Sequence, residues 1–506
     1  MVDKDQEIKK PNNHTFNSIT KSVRWILYTL LFAIFMIPTS FLTYIYVYSE
    51  SKVTEISILK SFVEESLEQQ LIKYNIKVSS AGVTKGNNFF SPKFVFHDIK
   101  ISNKNGERLF NLPKVYTNLD ILFSNDKSIV SVEDAQLFLR RNQSGKFSVA
   151  SNDLSKTHLL EKIDLSTTSF DKSPFIGRIN QLKVENISIA YQDDKTQNTY
   201  FFENGNFNII KNLNELSVSS VFELIKNNDE KAVFYASGNH TIHDEIFNVK
   251  FKVDNADPLI LANQIPALNW LRNVDTNVNA SIITSFDSGA KILDMNGMIE
   301  LEAGKLKATP KYSSTEFLNL KTYFAYDFNS DILDFSSFEF KSKQLSATGS
   351  AKNILMRDPE NNISGSNTDL KITEIKVNRP DIFNKENILL KSGHAELIII
   401  LDPLNITINN SKVKSNETNL SIIGKLIAKN NYWESNLNLE IDTLNKQQIV
   451  DFWPISYNAI ARKWFLENIN STIVSSIKGN VISSNGKRDL DIIFDFNNTN
   501  INAIKT

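Results

Sequence analysis

The chain has 506 residues, 56 Lys+Arg against 57 Asp+Glu, and a formal net charge of -1. That balance lacks the basic excess of a nucleic-acid binder, and an apolar fraction of 41% is too high for a disordered chain. With 0 Cys there is no disulfide framework, thiolate metal site or cysteine nucleophile.

In chain order, the first element is an uncharged run from Trp25 to Ser49, preceded by Lys9, Lys10, Lys21 and Arg24. About 20 apolar residues cross a bilayer core. The basic flank predicts a cytoplasmic tail over 1–24, a single-pass anchor over 25–49 and an exported remainder. Trp25 and Tyr28 mark one interface, Tyr44, Tyr46 and Tyr48 the other, and Pro38 lies within the span. The run ends in bulky aromatics without a small-residue cleavage site, which favours an uncleaved anchor.

Residues 50–75 read as an amphipathic helix, with Val53, Ile56, Leu59, Phe62, Val63, Leu67 and Leu71 at spacings of three and four. From Ile76 the period changes to two. Phe247, Val249, Phe251 and Val253 alternate with Asn248, Lys250, Lys252 and Asp254. Leu437, Leu439 and Ile441 repeat the pattern, as do Val278, Ala280 and Ile282, and Phe338 with Phe340. Strict alternation predicts strands with one apolar and one polar face. Asn105-Gly106, Asn204-Gly205, Asn296-Gly297 and Asn485-Gly486 fit two-residue hairpin turns. Two helical interruptions are expected, Pro258–Leu271 and Lys446–Ile469.

No constellation carries chemistry. The pair His240 and His243 would fall on opposite faces of a strand, poor geometry for one metal. There is no Gly-x-Ser-x-Gly elbow, phosphate loop or dinucleotide fingerprint. The expectation is a protein without enzymatic activity, metal or cofactor. The apolar strand faces need a cover. Two packed sheets would supply one; a sheet curled into a trough and covered by lipid acyl chains is the other solution. Composition alone leaves both open.

The order of these segments resembles the AsmA-like superfamily. The resemblance rests on the stub, the membrane run, the short helix, Ile76-Lys-Val78-Ser-Ser-Ala-Gly82, Phe94–Ile101, Leu112-Pro113-Lys-Val115 and Leu119–Leu122. Asp257-Pro258 through Leu271, and Phe452-Trp453-Pro454 with Arg462 and Trp464, are similar to connecting helices of its YhdP-like branch. The resemblance implies a mainly β fold: a single N-terminal transmembrane helix, then an elongated, curled antiparallel sheet forming a taco-shaped groove, with a few short helices. It implies an inner-membrane anchor, a periplasmic groove over 76–506 continuing beyond Thr506, and bridge-like transfer of phospholipid toward the outer membrane. The implied partners are phospholipid, the inner membrane, and outer-membrane or periplasmic proteins at the distal end, with no nucleic acid. The lining would comprise Phe247, Val249, Phe251, Val253, Val278, Ile282, Phe338, Phe340, Leu437, Leu439 and Ile441. The competing expectation is an envelope scaffold of packed β-sandwiches involved in outer-membrane assembly or its regulation.

Overall fold

The structure, a computed structural model, describes residues 36, 40, 43, 53–70, 74–85, 92–104, 106, 108–118, 128–144, 147–150, 157–159, 179–212, 215–225, 230–241, 246–287, 292–309, 312–383, 388–415, 418–429, 432–485 and 487–502. It is mainly β, with a large, curled, mostly antiparallel sheet and short helices. The expected anchor residues Trp25, Tyr28, Pro38, Tyr44, Tyr46 and Tyr48 lie outside the described residues, as does His243. Met36, Ser40 and Thr43 are helical and exposed. Among the described residues no helix is long and apolar enough to cross a membrane. The chain divides into two units, Met1–Ala190 with Asn208–Asn212, and Tyr191–Phe207 with Leu213–Thr506.

The first unit holds β1 (Thr54–Glu55), α1 (Ser57–Gln70), β2 (Tyr74–Lys77), β3 (Ser80–Thr84), β4 (Lys93–Asn103), β5 (Arg108–Asn118), β6 (Ile129–Glu133), β7 (Gln136–Arg141), β8 (Phe147–Ala150), β9 (Thr157–Leu159) and most of β10 (Gln181–Asp193). Helix α1 has no acid in its first turn and no base in its last, so packing must hold it. Val63 is buried, and Ile56, Leu59 and Leu67 join it against a core that includes Ile76, Val78 and Phe96. Two carboxylates pin the helix to the strand beside it: Glu64 accepts from the Val78 N–H at 2.7 Å and Glu68 from the Ile76 N–H at 3.3 Å. Phe62 points outward instead, half-exposed beside Ile58. Strand β10 pairs parallel with β6 over Gln181–Glu185.

The second unit continues with β11 (Asn198–Lys211), β12 (Glu215–Ile225), β13 (Lys231–Thr241), β14 (Ile246–Ala256), α2 (Pro258–Gln264), a 3-10 helix (Pro266–Asn273) and β15 (Val274–Asp275). Then come β16 (Val278–Asp287), β17 (Ile292–Leu301), β18 (Gly304–Thr309), β19 (Tyr312–Phe317), β20 (Asn319–Asp327), β21 (Ile332–Lys341), β22 (Leu345–Arg357), β23 (Ile363–Val377) and β24 (Ile388–Leu390). The rest is β25 (Ser392–Leu401), β26 (Leu404–Ser415), β27 (Thr418–Ala428), β28 (Trp433–Asn445), α3 (Lys446–Phe452), α4 (Ala459–Asn468), β29 (Ile469–Ser484) and β30 (Lys487–Ile501). From β12 onward each long strand pairs antiparallel with the next long strand in the chain. β15, β18 and β19 form a small separate sheet.

Local chemistry sets the interruptions. Asp257 caps α2 by accepting from the Leu259 N–H at 2.8 Å, and Pro258 occupies the first turn. Asn445 and Gln448 form a reciprocal capping box at α3. Of the four expected Asn-Gly turns, Asn485 does open a hairpin turn, with φ 49° and Ser484 opposite Lys487. Gly106 lies between β4 and β5 with φ 82°. Asn204-Gly205 and Asn296-Gly297 instead lie within β11 and β17. The reason at Gly297 is contact: a Cβ there would stand 2.7 Å from the Phe324 ring. The glycine serves cross-strand packing, and the turn signal is misleading.

Candidate functional site: a continuous apolar face

Directly opposed residues in neighbouring strands share a face of the sheet. One such row runs Phe222, Phe234, Val253, Ala280, Ile299, Thr322, Phe338, Gly349, Ile372, Gly393, Val413, Leu420, Ile441 and Ile477. It crosses fourteen strands, and Thr322 is its sole polar member. Where strands shift register by a bulge, the apolar side keeps its orientation, as between Leu397 opposite Ile408 and Ala395 opposite Ser411. The other face carries rows such as Lys371, His394 and Lys412.

All eleven lining residues read from the sequence lie on this one face, but in two different settings. Val253, Val278 and Ile282 are buried, with Val278 at 0% exposure. They belong to a core filled by the helical insertion: Leu261, Leu268 and Leu271 pack onto Ile299, Leu301, Phe324 and Leu333. Burying each such side chain stabilises by roughly 1.5–3 kcal/mol. Expecting Val253, Val278 and Ile282 to form an open wall is therefore a mismatch; they share a core with the insertion Pro258–Asn273. The insertion also reports the curl. It leaves the end of β14, Trp270 meets Phe335 edge-on at 6.1 Å, and Asn269 donates to the Ile363 carbonyl on β23 at 3.2 Å. A flat sheet would hold β14 and β23 far apart, since strands are ~4.8 Å apart.

Along β14 the packing fades. Val253 is buried, Phe247 and Val249 are half-buried, and Phe251 is 42% exposed. Phe247 stacks on His240 at 3.9 Å, which places that histidine in an aromatic contact. Phe338 and Phe340 are half-buried, and the Phe338 ring lies over Gly349.

The second setting spans β23 to β30. Leu437, Leu439 and Ile441 are half-buried here, as are Leu370, Ile372, Leu397, Ile406, Ile408, Leu420 and Ile422. Helix α3 meets the Ile441 end, where Ile449 and Phe452 pack with it against Leu444, Val474 and Ile477. Full burial occurs at Leu404 with Ala428 and at Leu444 with Val474 and Ile477, and also at Ala395 and Val413 within the face. The seven β23–β27 residues were not picked out from the sequence. Leu370-Lys-Ile372, Ile406-Thr-Ile408 and Leu420-Ser-Ile422 carry the alternation that could have flagged them, whereas at Leu397 the consecutive apolar run Leu397–Leu401 hides it.

The helix-motif residues sit at one end of this region. Trp453 packs by Phe465 at 5.8 Å between ring centres and donates to the Tyr457 carbonyl at 2.9 Å. Pro454 and Arg462 are half-buried, and Trp464 is 44% exposed. They act as helix packing and join no polar site.

Polar groups on the apolar face are internally satisfied. Asn353, buried on β22, donates to the Leu333 carbonyl at 3.0 Å and accepts from Thr368 at 2.8 Å, and Ser366 bonds Thr368 at 3.0 Å. At the adjoining strand ends Tyr326, Asp331 and Arg357 form a triad, with Arg357–Asp331 at 2.6 Å and Tyr326–Asp331 at 2.6 Å. The Arg357 hydrogen bonds hold the Asp331 carboxyl down at about 2, against the cost of partial burial. Burial, with the Asp331 hydrogen bond adding, pushes the Tyr326 hydroxyl up to about 12. This triad is structural: its groups are consumed by one another. A cleft of about 1220 Å³ beside the insertion is lined by Asp257, Asp275, Glu302, Asp358 and Asp402 with Arg272. Among the described residues no group of three or more His, Asp or Glu side chains has metal-binding geometry. What the second unit offers chemically is therefore an extended apolar surface. Comparison with protein-family models, with curated proteins and with solved structures finds no match for this chain.

Proposed function

We propose that the half-exposed apolar face from β23 to β30 holds lipid acyl chains and that the protein is a non-enzymatic phospholipid conduit. The observation that supports this reading is the row of opposed residues across fourteen strands, apolar but for Thr322, which is buried with the helical insertion at one part and mostly half-exposed at another. A leaflet of hydrocarbon is about 15 Å deep, half of a ~30 Å core. That length matches four to five residues of strand at ~3.3 Å each, which is the span of Leu437, Leu439 and Ile441. Each CH₂ taken from water contributes about 0.8 kcal/mol, so acyl chains are retained without a specific polar site. Near-equivalent neighbouring strands give the chain many places to lie, which is what sliding requires.

On this reading the uncharged run 25–49 anchors the protein in an inner membrane, the remainder faces the periplasm, and phospholipid moves toward the outer membrane. The test is extraction: the purified full-length chain should carry phospholipid measurable by phosphate assay and mass spectrometry. It should also move a fluorescent phospholipid between vesicles. A preparation with neither would favour the scaffold reading of a protein-binding envelope component.

A further inference from the structure

The insertion Pro258–Asn273 is held from two sides of the curled sheet. Gln264 donates to Asp193, fully buried at the end of β10, at 3.2 Å, and Asn269 donates to the Ile363 carbonyl on β23 at 3.2 Å. These two anchors are five residues apart in the chain, a reach of at most about 18 Å. The eight strand pairings from β12 to β23 alone would occupy about 38 Å in a flat sheet. Ring contacts tie the Asp193 end to β12: Tyr191 stacks on Tyr200, and Phe202 meets Phe222. The insertion is therefore a strap from one wall of the curl to the other. It shares one core with side chains from both walls, Leu224 and Val253 on one and Leu333 and Leu355 on the other.

The hold is mostly apolar. Leu261, Leu268 and Leu271 are buried, and an acyl chain offers the same kind of contact, so lipid arriving along the face can take their place with little loss. The closed strap also buries the Trp270 indole N–H with no acceptor among the described residues, a cost that release removes. Its outer flank is not packed: Asn269, Arg272 and Asn273 line the cleft of about 1220 Å³ together with Asn362, Ser364 and Leu401. Beyond the strap the same face is half-exposed at Leu420 and Leu439.

We propose that the strap closes the apolar face, and that acyl chains pass between its β12–β22 and β23–β30 stretches only when the strap is displaced. The inference rests on the lipid reading and adds a gate to it. Lipid is held on the half-exposed stretch whether the strap is closed or open, and advances when Leu268 and Leu271 give way to it.

With 0 Cys in the chain, the test can be made in the full-length protein. Asn269→Cys and Asn362→Cys place two thiols in the cleft, one on the strap and one beside its β23 anchor, and a short bis-maleimide with a reducible spacer ties them. Asn362 is exposed and Asn269 half-buried, so the pair should fold, and circular dichroism checks this. Transfer of a fluorescent phospholipid between vesicles is measured before bridging, after bridging and after reduction, with bound phospholipid counted each time. Bridging should slow transfer at least tenfold, reduction should restore it, and bound phospholipid should not change. Single-cysteine variants treated alike should keep their rates. Asn269→Ala, which frees one anchor, should speed transfer about threefold; it carries the test if the cysteine pair does not fold, and an unchanged or slower rate then overturns the gate. Equal rates with the bridge intact and cut overturn the gate and leave the lipid reading standing. So do equal slowing in the single-cysteine variants and loss of bound phospholipid on bridging. A wild type that neither carries nor transfers lipid removes the lipid reading and the gate with it.

Discussion

Leu439→Asp separates an open apolar face from a packed one. Leu439 lies in β28, opposite Ile422 on one side and Gly479 on the other. It is half-buried, and a Cβ built at Gly479 would find its nearest neighbours, Asp491 O and Leu439, only at 3.6–3.7 Å. A carboxylate placed there reaches water. The loss should be confined to the half-covered leucine, about 1–2 kcal/mol from roughly three lost carbons at half burial. Leu268→Asp makes the contrast: that residue is 0% exposed in the core under the helical insertion, and an unpaired charge there should cost several kcal/mol. Both proteins are compared with the wild type after delipidation, by thermal melting followed through tryptophan fluorescence, and reconstituted phospholipid is counted per chain. Leu439→Asp should melt close to the wild type and hold less lipid; Leu268→Asp should melt far lower or fail to fold. A Leu439→Asp melting loss equal to that of Leu268→Asp would mean a dry interface. Normal lipid content in a folded Leu439→Asp would remove this face from the proposed conduit.

Three further outcomes are expected. Asp331 has its folded pKa lowered to about 2 by Arg357, below the ordinary value of 3.8, so its contribution is present above pH ~4 and lost as pH falls toward 2. Asp331→Asn should flatten the acid limb of the stability curve by about 1 kcal/mol after allowance for solvent screening. Gly297→Ala puts a methyl 2.7 Å from Phe324 and 2.8 Å from the Ser281 carbonyl, and should cost about 1–3 kcal/mol in urea unfolding, while Gly479→Ala, with 3.6 Å of room, should be near neutral. A reporter joined after Asn75 should be active only in the exported compartment; activity in the cytoplasm would reverse the proposed orientation.

The sequence by itself determined the class of local structure. Alternation at Phe247–Val253 and Leu437–Ile441 meant strands, and its loss at Pro258–Leu271 and Lys446–Ile469 meant helical interruptions, because these depend on near-neighbour geometry. It also placed all eleven proposed lining residues on apolar faces, since a period of two leaves no choice of side. Only tertiary structure decided that those faces join into a single surface, because the joining depends on register between strands distant in sequence. It also decided which part of that surface is closed. Leu268 and Leu271 fold back onto Val278 and Ile299, so identical alternation gives 0% exposure at Val278 and a half-exposed Leu439. Alternation records which side is apolar; what covers that side is set by the chain that returns to it, here Pro258–Asn273 over one stretch and α3 at the β28–β29 end.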